Sequence, residues 1–241
     1  MKTMLKVQWY YLIDKTAAAF IGLFAVFVFV AIFTASEASL GMAALDVDRI
    51  RRAFVYRSSG VLAVRLSASV LAIFLGLHGW SKTQRRAGVY FIAQRKDVFR
   101  FAAAKAIAAA FILVVFVLAS ALFYGLVGGY LTPYFTLVAT DARLFADILA
   151  EALFFLALQG LVTTTFDGVF AGIPAFVLFW ILESAAPVSP EVGIDVLFLV
   201  VRHARLDETG IATLGDPRVQ ALVLVALFSA LIVVFAKKDM N

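Results

Sequence analysis

The sequence predicts an all-α membrane protein, a single domain of six transmembrane helices. Hydrophobic residues make up 63% of its 241 residues, and its mean hydropathy of +0.98 exceeds what a soluble domain of this size can bury. Apolar runs separated by polar breaks are the second observation, because a bilayer core of roughly 30 Å needs about 20 apolar residues per helix. These runs place the helices at 16–33, 60–80, 102–127, 144–162, 169–182 and 219–235.

Residues 3–15, before the first span, predict an amphipathic helix that lies in the membrane interface. This segment mixes apolar residues such as Leu5 and Trp9 with Lys6, Asp14 and Lys15. Aromatic rings favour the headgroup level, and lysines favour the anionic cytoplasmic surface. We therefore expect a plasma-membrane protein with a cytoplasmic N-terminus, and six spans return the C-terminus to the same side.

The connection between the second and third spans, residues 82–101, is densely basic. It carries Lys82, Arg85, Arg86, Arg95, Lys96 and Arg100. Lys and Arg in short loops strongly resist translocation, so this loop is predicted to be cytoplasmic.

A second basic group follows the first span and falls on the outer side of this topology. It consists of Arg49, Arg51, Arg52 and Arg57, interleaved with Ile50, Phe54 and Val55. The helical spacing of the apolar residues predicts an amphipathic surface helix here.

Several kinds of chemistry are excluded by the residues that the chain lacks. It has no cysteine, no nucleotide-binding loop of the Gly-x-x-x-x-Gly-Lys-Ser/Thr type and no His-Glu-x-x-His motif. Its two histidines, His78 and His203, have no partner at metal-ligand spacing. We therefore expect neither an enzyme nor a cofactor, a metal site or a nucleic-acid partner.

Ionisable groups inside the predicted spans are candidates for function, because a charge in hydrocarbon is costly and is retained for a reason. Asp147 and Glu151 lie four residues apart on one helical face, and Gln159 falls roughly on the same stripe. This stripe predicts either a polar path or cation site, or an interhelical hydrogen-bond contact. Arg65 is expected either to snorkel to the outer surface or to pair with Glu151 or Asp147, and Lys105 to snorkel to the cytoplasmic surface.

The segment 183–218 between the last two spans predicts a re-entrant or interfacial region. Its apolar run, residues 192–201, is too short to cross a bilayer. Proline and glycine interrupt the chain on both sides of this run.

The order of the segments 3–15, 82–101 and 183–218 resembles the membrane subunits of type-2 ATP-binding cassette exporters. In that family an elbow helix precedes six spans, a coupling helix lies between spans two and three, and re-entrant helices separate spans five and six. Gly88-Val89, the apolar Tyr90, Phe91 and Ile92, and later Ala104-Lys105 resemble the family's coupling motif. Arg85-Arg86 stand where the family has an acidic residue, and the family's proline is absent.

The resemblance implies a permease subunit that moves a hydrophobic or amphipathic substrate, with ATP and Mg bound by a separate ATPase subunit present in two copies. Further partners would be a second permease subunit, identical or homologous, and membrane lipids. The implied ATPase contact is an apolar knob with a charged rim, formed by Arg85, Arg86, Gly88, Val89, Tyr90, Phe91, Ile92, Arg95 and Lys96.

Two functions from other classes are compatible with the same residues. An ion-gradient-driven carrier would use Asp147 and Glu151 as its coupling site. A non-transporting membrane scaffold or assembly factor would use the basic loop to hold a partner.

Overall fold

Six α-helices make up most of the computed structural model, which describes residues 12–41, 49–82, 98–132, 135–166, 169–185, 205–206, 212–213 and 217–240. The helices are α1 (Lys15–Gly41), α2 (Arg49–Gly79), α3 (Val98–Leu131), α4 (Ala139–Thr165), α5 (Ile173–Ala185) and α6 (Pro217–Met240). A 3-10 turn, Val169–Gly172, precedes α5, and two short antiparallel strands, β1 (Arg205–Leu206) and β2 (Ala212–Thr213), pair before α6. The helical fold class is confirmed for this part of the chain.

Five helices, α1, α2, α3, α4 and α6, are long and apolar enough to cross a membrane. The predicted fifth span is instead divided into the 3-10 turn and the 13-residue α5. Thirteen helical residues extend only about 20 Å, less than the roughly 30 Å of a hydrocarbon core. Pro174 lies in the first turn of α5, where its missing N–H costs no helical hydrogen bond.

The ends of the first three helices differ from the sequence prediction. Asp14 caps α1 by accepting a 2.8 Å hydrogen bond from the Ala17 amide, so Lys15 belongs to the span and not to the elbow segment. The expected surface helix around Phe54 is the first part of α2, which continues without a break through Gly60. The predicted loop 82–101 ends early, because Val98 already begins α3.

Helices α2 and α4 lie side by side and run in the same direction. Arg57 of α2 contacts Asp141 near the beginning of both helices. Near their ends, Gly76 approaches Gln159 so closely that a Cβ on Gly76 would lie 2.7 Å from the Gln159 Cβ. Each of the two helices also packs against α3, which makes this pair the centre of the bundle.

Helix α5 runs back along α4. The Gln159 amide Nε2 donates a 2.8 Å hydrogen bond to the Ala171 carbonyl oxygen just before α5 begins. Further along, the Phe179 ring lies 5.6 Å from the ring of Phe155, which is one turn earlier in α4. Helix α5 is therefore antiparallel to α4.

Helix α6 is parallel to α4. Leu231 packs on Gly160, and the Lys238 ammonium donates to the carbonyl oxygens of Thr164 and Thr165 at 2.7 and 3.2 Å. A cation at the C-terminus of α4 satisfies carbonyls that have no helical partner and complements the helix dipole. Because α4 and α6 point the same way, the chain must return between them, and α5 covers part of that distance.

The bundle has two distinct ends, which we name the Trp80 end and the Tyr56 end. The Tyr56 end is the one where α2 and α4 begin, beside the Arg57–Asp141 contact. At the Trp80 end, His78 Nε2 lies 3.2 Å from the Asp14 carboxylate, and Lys105 Nζ lies over the rings of Trp80 and Phe235. The start of α1, the end of α2, the start of α3 and the end of α6 therefore meet there. The chain between α2 and α3 leaves and re-enters the bundle at this end.

Gly76 provides a direct test of the α2–α4 contact. We expect Gly76→Ala to cost about 1–3 kcal/mol of stability, because overpacking a close helix contact forces the backbones apart. Thermal unfolding of the purified chain in mild detergent measures this loss. The matched control is Gly22→Ala on α1, where no described atom lies within 4 Å of the added Cβ. Equal melting temperatures for the two variants would contradict the close contact.

Candidate functional site

A layer of charged and polar side chains crosses the interior of the bundle between α2 and α4. It consists of Arg65 and Ser69 on α2 and Asp147 and Glu151 on α4, and we call it the charged layer. Their exposed fractions are 1%, 0%, 5% and 3%, respectively. Groups this polar are almost never so buried unless the fold needs them.

The parallel run of α2 and α4 is what brings these residues to one level. Ser69 Oγ donates a 3.4 Å hydrogen bond to Glu151 Oε1 across the interface. Arg65 lies one turn before Ser69, and Asp147 lies one turn before Glu151, so both fall on the same facing stripes. The layer thus places one guanidinium and two carboxyl groups at the α2–α4 interface.

Arg65 lies near the middle of its helix, about 24 Å along α2 from Arg49 by the rise of 1.5 Å per residue. The prediction that Arg65 snorkels to the outer surface is wrong, because the helix begins well before Gly60 and the side chain is buried. Its level on α2 agrees with the alternative, a position beside Asp147 and Glu151. Opposite charges at this depth offset part of the cost of removing each from water.

Gln159 does not belong to the charged layer. It lies eight residues beyond Glu151, about 12 Å along the helix, and its Nε2 donates 2.8 Å hydrogen bonds to Thr163 Oγ1 and the Ala171 carbonyl. These contacts tie α4 to the turn before α5. Within the predicted stripe, Gln159 therefore has an interhelical hydrogen-bond contact.

Lys105 is buried at the Trp80 end and does not snorkel as predicted. Its exposed fraction is 1%, and its Nζ lies 5.8 Å from the centroid of the Trp80 ring and 5.7 Å from that of Phe235. These distances are those of cation–π contacts. The lysine therefore joins the start of α3 to the end of α2 and to α6.

An ion pair at the Tyr56 end was missed from the sequence, because Arg57 fell in a predicted outer connection. Two 3.4 Å contacts join the Arg57 guanidinium to the Asp141 carboxylate, which is 1% exposed. Arg57 also donates to the Thr136 carbonyl at 2.6 Å. The available signal was an acidic residue in the first turn of α4, where Asp141 accepts a 2.9 Å hydrogen bond from the Val138 amide.

Aromatic rings fill the space beside this ion pair. Tyr56 and Tyr124 stack with centroids 5.1 Å apart, and the edge of Phe135 meets both rings at 5.0 and 5.3 Å. The Tyr56 hydroxyl donates a 2.6 Å hydrogen bond to the Tyr124 carbonyl. These contacts join α2, α3 and the segment before α4 at the Tyr56 end.

The predicted ATPase contact lies outside the described residues. This applies to Arg85, Arg86, Gly88, Val89, Tyr90, Phe91, Ile92, Arg95 and Lys96. It applies also to residues 3–11 of the elbow and to most of the predicted re-entrant region. Among the residues that are described, no group of three or more His, Asp or Glu side chains could hold a metal ion.

No protein-family model, curated protein or solved structure matches this chain. Five apolar helices indicate a membrane-embedded protein. The functional proposal below therefore uses the helix directions, the buried charges and the resemblance of layout.

The charged layer can be tested by a double-mutant cycle. We expect Arg65→Met and Glu151→Met each to lower the stability of the detergent-purified chain by about 3–5 kcal/mol, since each strands buried charge. The double variant should lose less than the sum, because removing both side chains leaves only Asp147 as a stranded charge of the layer, whereas Arg65→Met alone leaves two carboxyl groups. Arg143→Met, at an exposed position of α4, is the control and should change little. Additive losses in the double variant would show that the two side chains do not interact.

Proposed function

We propose that this chain is the permease subunit of a type-2 ATP-binding cassette exporter in the plasma membrane. It would move a hydrophobic or amphipathic substrate across the bilayer, using ATP hydrolysed by a separate subunit. The observation that supports this most is the arrangement of the Trp80 end. The start of α1, the end of α2, the start of α3 and the end of α6 all lie at that one end, so the basic connection is attached to the bundle there at both of its ends.

A cytoplasmic Trp80 end agrees with the distribution of basic residues. The stretch from Lys82 to Arg100, which includes the start of α3, carries six Lys or Arg residues, and Lys237 and Lys238 lie in the last turn of α6 at the same end. Positive residues of short loops are retained in the cytoplasm. An ATPase in the cytoplasm would thus meet the loop that the resemblance assigns to it.

The second half of the bundle also supports the proposal. Helix α5 is a short antiparallel segment between the parallel helices α4 and α6. Together with the chain that follows it, α5 would form the fifth crossing and the outer re-entrant region. A path made of six crossings in each of two permease subunits is the arrangement implied by the resemblance.

The contacts of Lys105 suggest how movement of the loop would reach the spans. ATP binding would close two ATPase subunits and displace the loop between α2 and α3. Since Lys105 contacts Trp80 and Phe235, the displacement would be transmitted to α2, α3 and α6 together as a rigid-body movement. ATP and Mg bind the partner in this scheme, and no cofactor belongs to this chain.

A second candidate function is an ion-gradient-driven carrier, which the charged layer favours. Asp147 and Glu151 lie in the interior of the bundle, near the level where such carriers bind their coupling ions. In that case Glu151→Gln should change the pH dependence of transport measured in proteoliposomes. The exporter proposal expects the same pH profile for the variant and the parent chain.

The proposed ATPase contact predicts the effect of charge in the apolar knob. Replacing both Tyr90 and Phe91 with Asp should abolish co-purification of the ATPase, because two charges cannot be buried in an apolar groove without large cost. Membrane insertion should be unchanged. Tyr130→Asp is the control, since Tyr130 is exposed at the opposite end of α3. Retained association in the double variant would show that Tyr90 and Phe91 do not form the ATPase contact.

The decisive experiment is gentle purification of the tagged chain from its native host, with mass spectrometry and an ATP hydrolysis assay. A stoichiometric ATPase with vanadate-sensitive turnover is the expected result. A chain that purifies without any nucleotide-binding subunit would overturn the exporter proposal. Ion-driven uptake by that lone chain would then support the carrier, and absence of transport would support a scaffold or assembly factor.

A further inference from the structure

An apolar groove of about 560 Å³ lies on the bundle surface between α3 and α4, toward the Tyr56 end. Val117 and Phe145 form its floor and are 2% and 7% exposed. Leu118, Leu122 and Leu137 form its rim and are about 60% exposed or more. The volume is within the range of small-molecule sites in proteins.

The groove arises because small side chains face each other across the two helices. Ala121 of α3 and Ala142 and Ala146 of α4 line it, leaving space that larger residues would fill. Leu137, in the connection before α4, packs on Gly125 of α3. A Cβ on Gly125 would lie 2.8 Å from the Leu137 Cδ1. The groove is therefore shaped in part by the close contact of the Leu137 side chain with α3.

The chemistry of the lining selects an apolar occupant. All the lining residues are Val, Leu, Ala or Phe, so a water molecule would find no side chain able to hydrogen-bond to it. On α4 the groove extends from Val138 to Leu149, about 16 Å at the helical rise. Because α3 and α4 both qualify as membrane spans, the medium against this groove is the acyl chains of lipids.

A cation, Arg143, lies beside the groove, five residues or about 7.5 Å along the helical rise from its Val138 end, a distance that a long snorkelling side chain can span. Arg143 is exposed on α4 between the lining residues Ala142 and Ala146. Within the described part of the chain, no carboxylate forms a salt bridge with it. It lies in the first turns of a 27-residue helix, where the helix dipole also favours an anion. Asp141, the nearby carboxylate, faces the interior and is engaged by Arg57.

We propose that this groove is a phospholipid-binding site, in which one acyl chain lies between α3 and α4 and the lipid phosphate contacts Arg143. Apolar lining and an exposed cation beside it, which no described residue engages, match the two halves of a phospholipid. The site lies on the outside of the bundle, separate from the charged layer and from the ATPase loop. It does not depend on the exporter proposal, since it would bind lipid in a carrier or a scaffold as well.

The test uses the full-length chain in nanodiscs of phosphatidylcholine containing a small fraction of phosphatidylcholine with a diazirine at mid-chain. After illumination, peptide mapping by mass spectrometry should find label concentrated on Val117–Leu122 and Ala142–Leu149. Label spread evenly over all the lipid-facing helix surfaces would overturn the proposal. A cross-link between two copies of the chain at these residues, without lipid label, would also overturn it.

Two pairs of variants separate the acyl and phosphate contacts. Ala146→Trp fills the groove and should reduce groove labelling at least about fivefold, whereas Ala119→Trp, exposed on α3 away from the groove, should leave it unchanged. If thermal unfolding shows that Ala146→Trp is not folded, Leu122→Trp on the rim is used in its place. Unchanged labelling in a folded groove-filling variant would eliminate the site.

Arg143→Gln tests the phosphate contact, and Arg51→Gln, exposed near the same end of the bundle, is its control. Titration of phosphatidylcholine into the delipidated chain, followed by native mass spectrometry, should show about tenfold weaker binding for Arg143→Gln, as expected for loss of a charge-assisted contact. The control should bind as the parent does. Equal phosphatidylcholine affinities for the two variants would overturn the phosphate assignment. So would free palmitic acid that binds with the affinity of the phospholipid and binds Arg143→Gln as tightly as the parent chain.

Discussion

The parallel contact between α2 and α4 is the constraint on which the rest of the bundle depends. Helix α2 is the most buried of the five long helices, and α4 contacts every helix except α1 extensively. Lipid supplies little hydrophobic drive between helices, so close packing and interhelical polar contacts must hold them together. Gly76 provides the close approach, and Arg57–Asp141 and Ser69–Glu151 provide polar contacts along the length of the pair.

Among the described residues, buried charges occur at three levels of the bundle, and each level has a different environment. At the Tyr56 end, Arg57 and Asp141 form an ion pair beside aromatic rings, and this ion pair joins α2 to α4. In the middle, the charged layer around Arg65 has two carboxyl groups for one guanidinium, all buried. At the Trp80 end, Lys105 is held by aromatic faces, next to the loop that would receive force from a partner.

The exterior of the bundle shows a similar division. Helices α1 and α6 expose most of their apolar surface, as expected for helices that face lipid or another subunit. The groove between α3 and α4 differs from these surfaces because it combines a concave apolar floor with the exposed Arg143 beside it. A lipid held there would stabilise the relative position of two central helices. Lipid composition would then influence the same bundle that the loop is proposed to move.

The sequence by itself determined the membrane class, the five long helices and the helical face shared by Asp147 and Glu151, because hydropathy and the 3.6-residue period are local properties. It did not determine the true start of α2, since a polar first turn reads as a loop until its partners are known. Only the tertiary structure decided that Arg65 is buried at the level of those carboxylates and that Arg57 engages Asp141. Both facts follow from the parallel register of α2 with α4, which joins residues more than eighty positions apart and leaves no periodic signal in the chain.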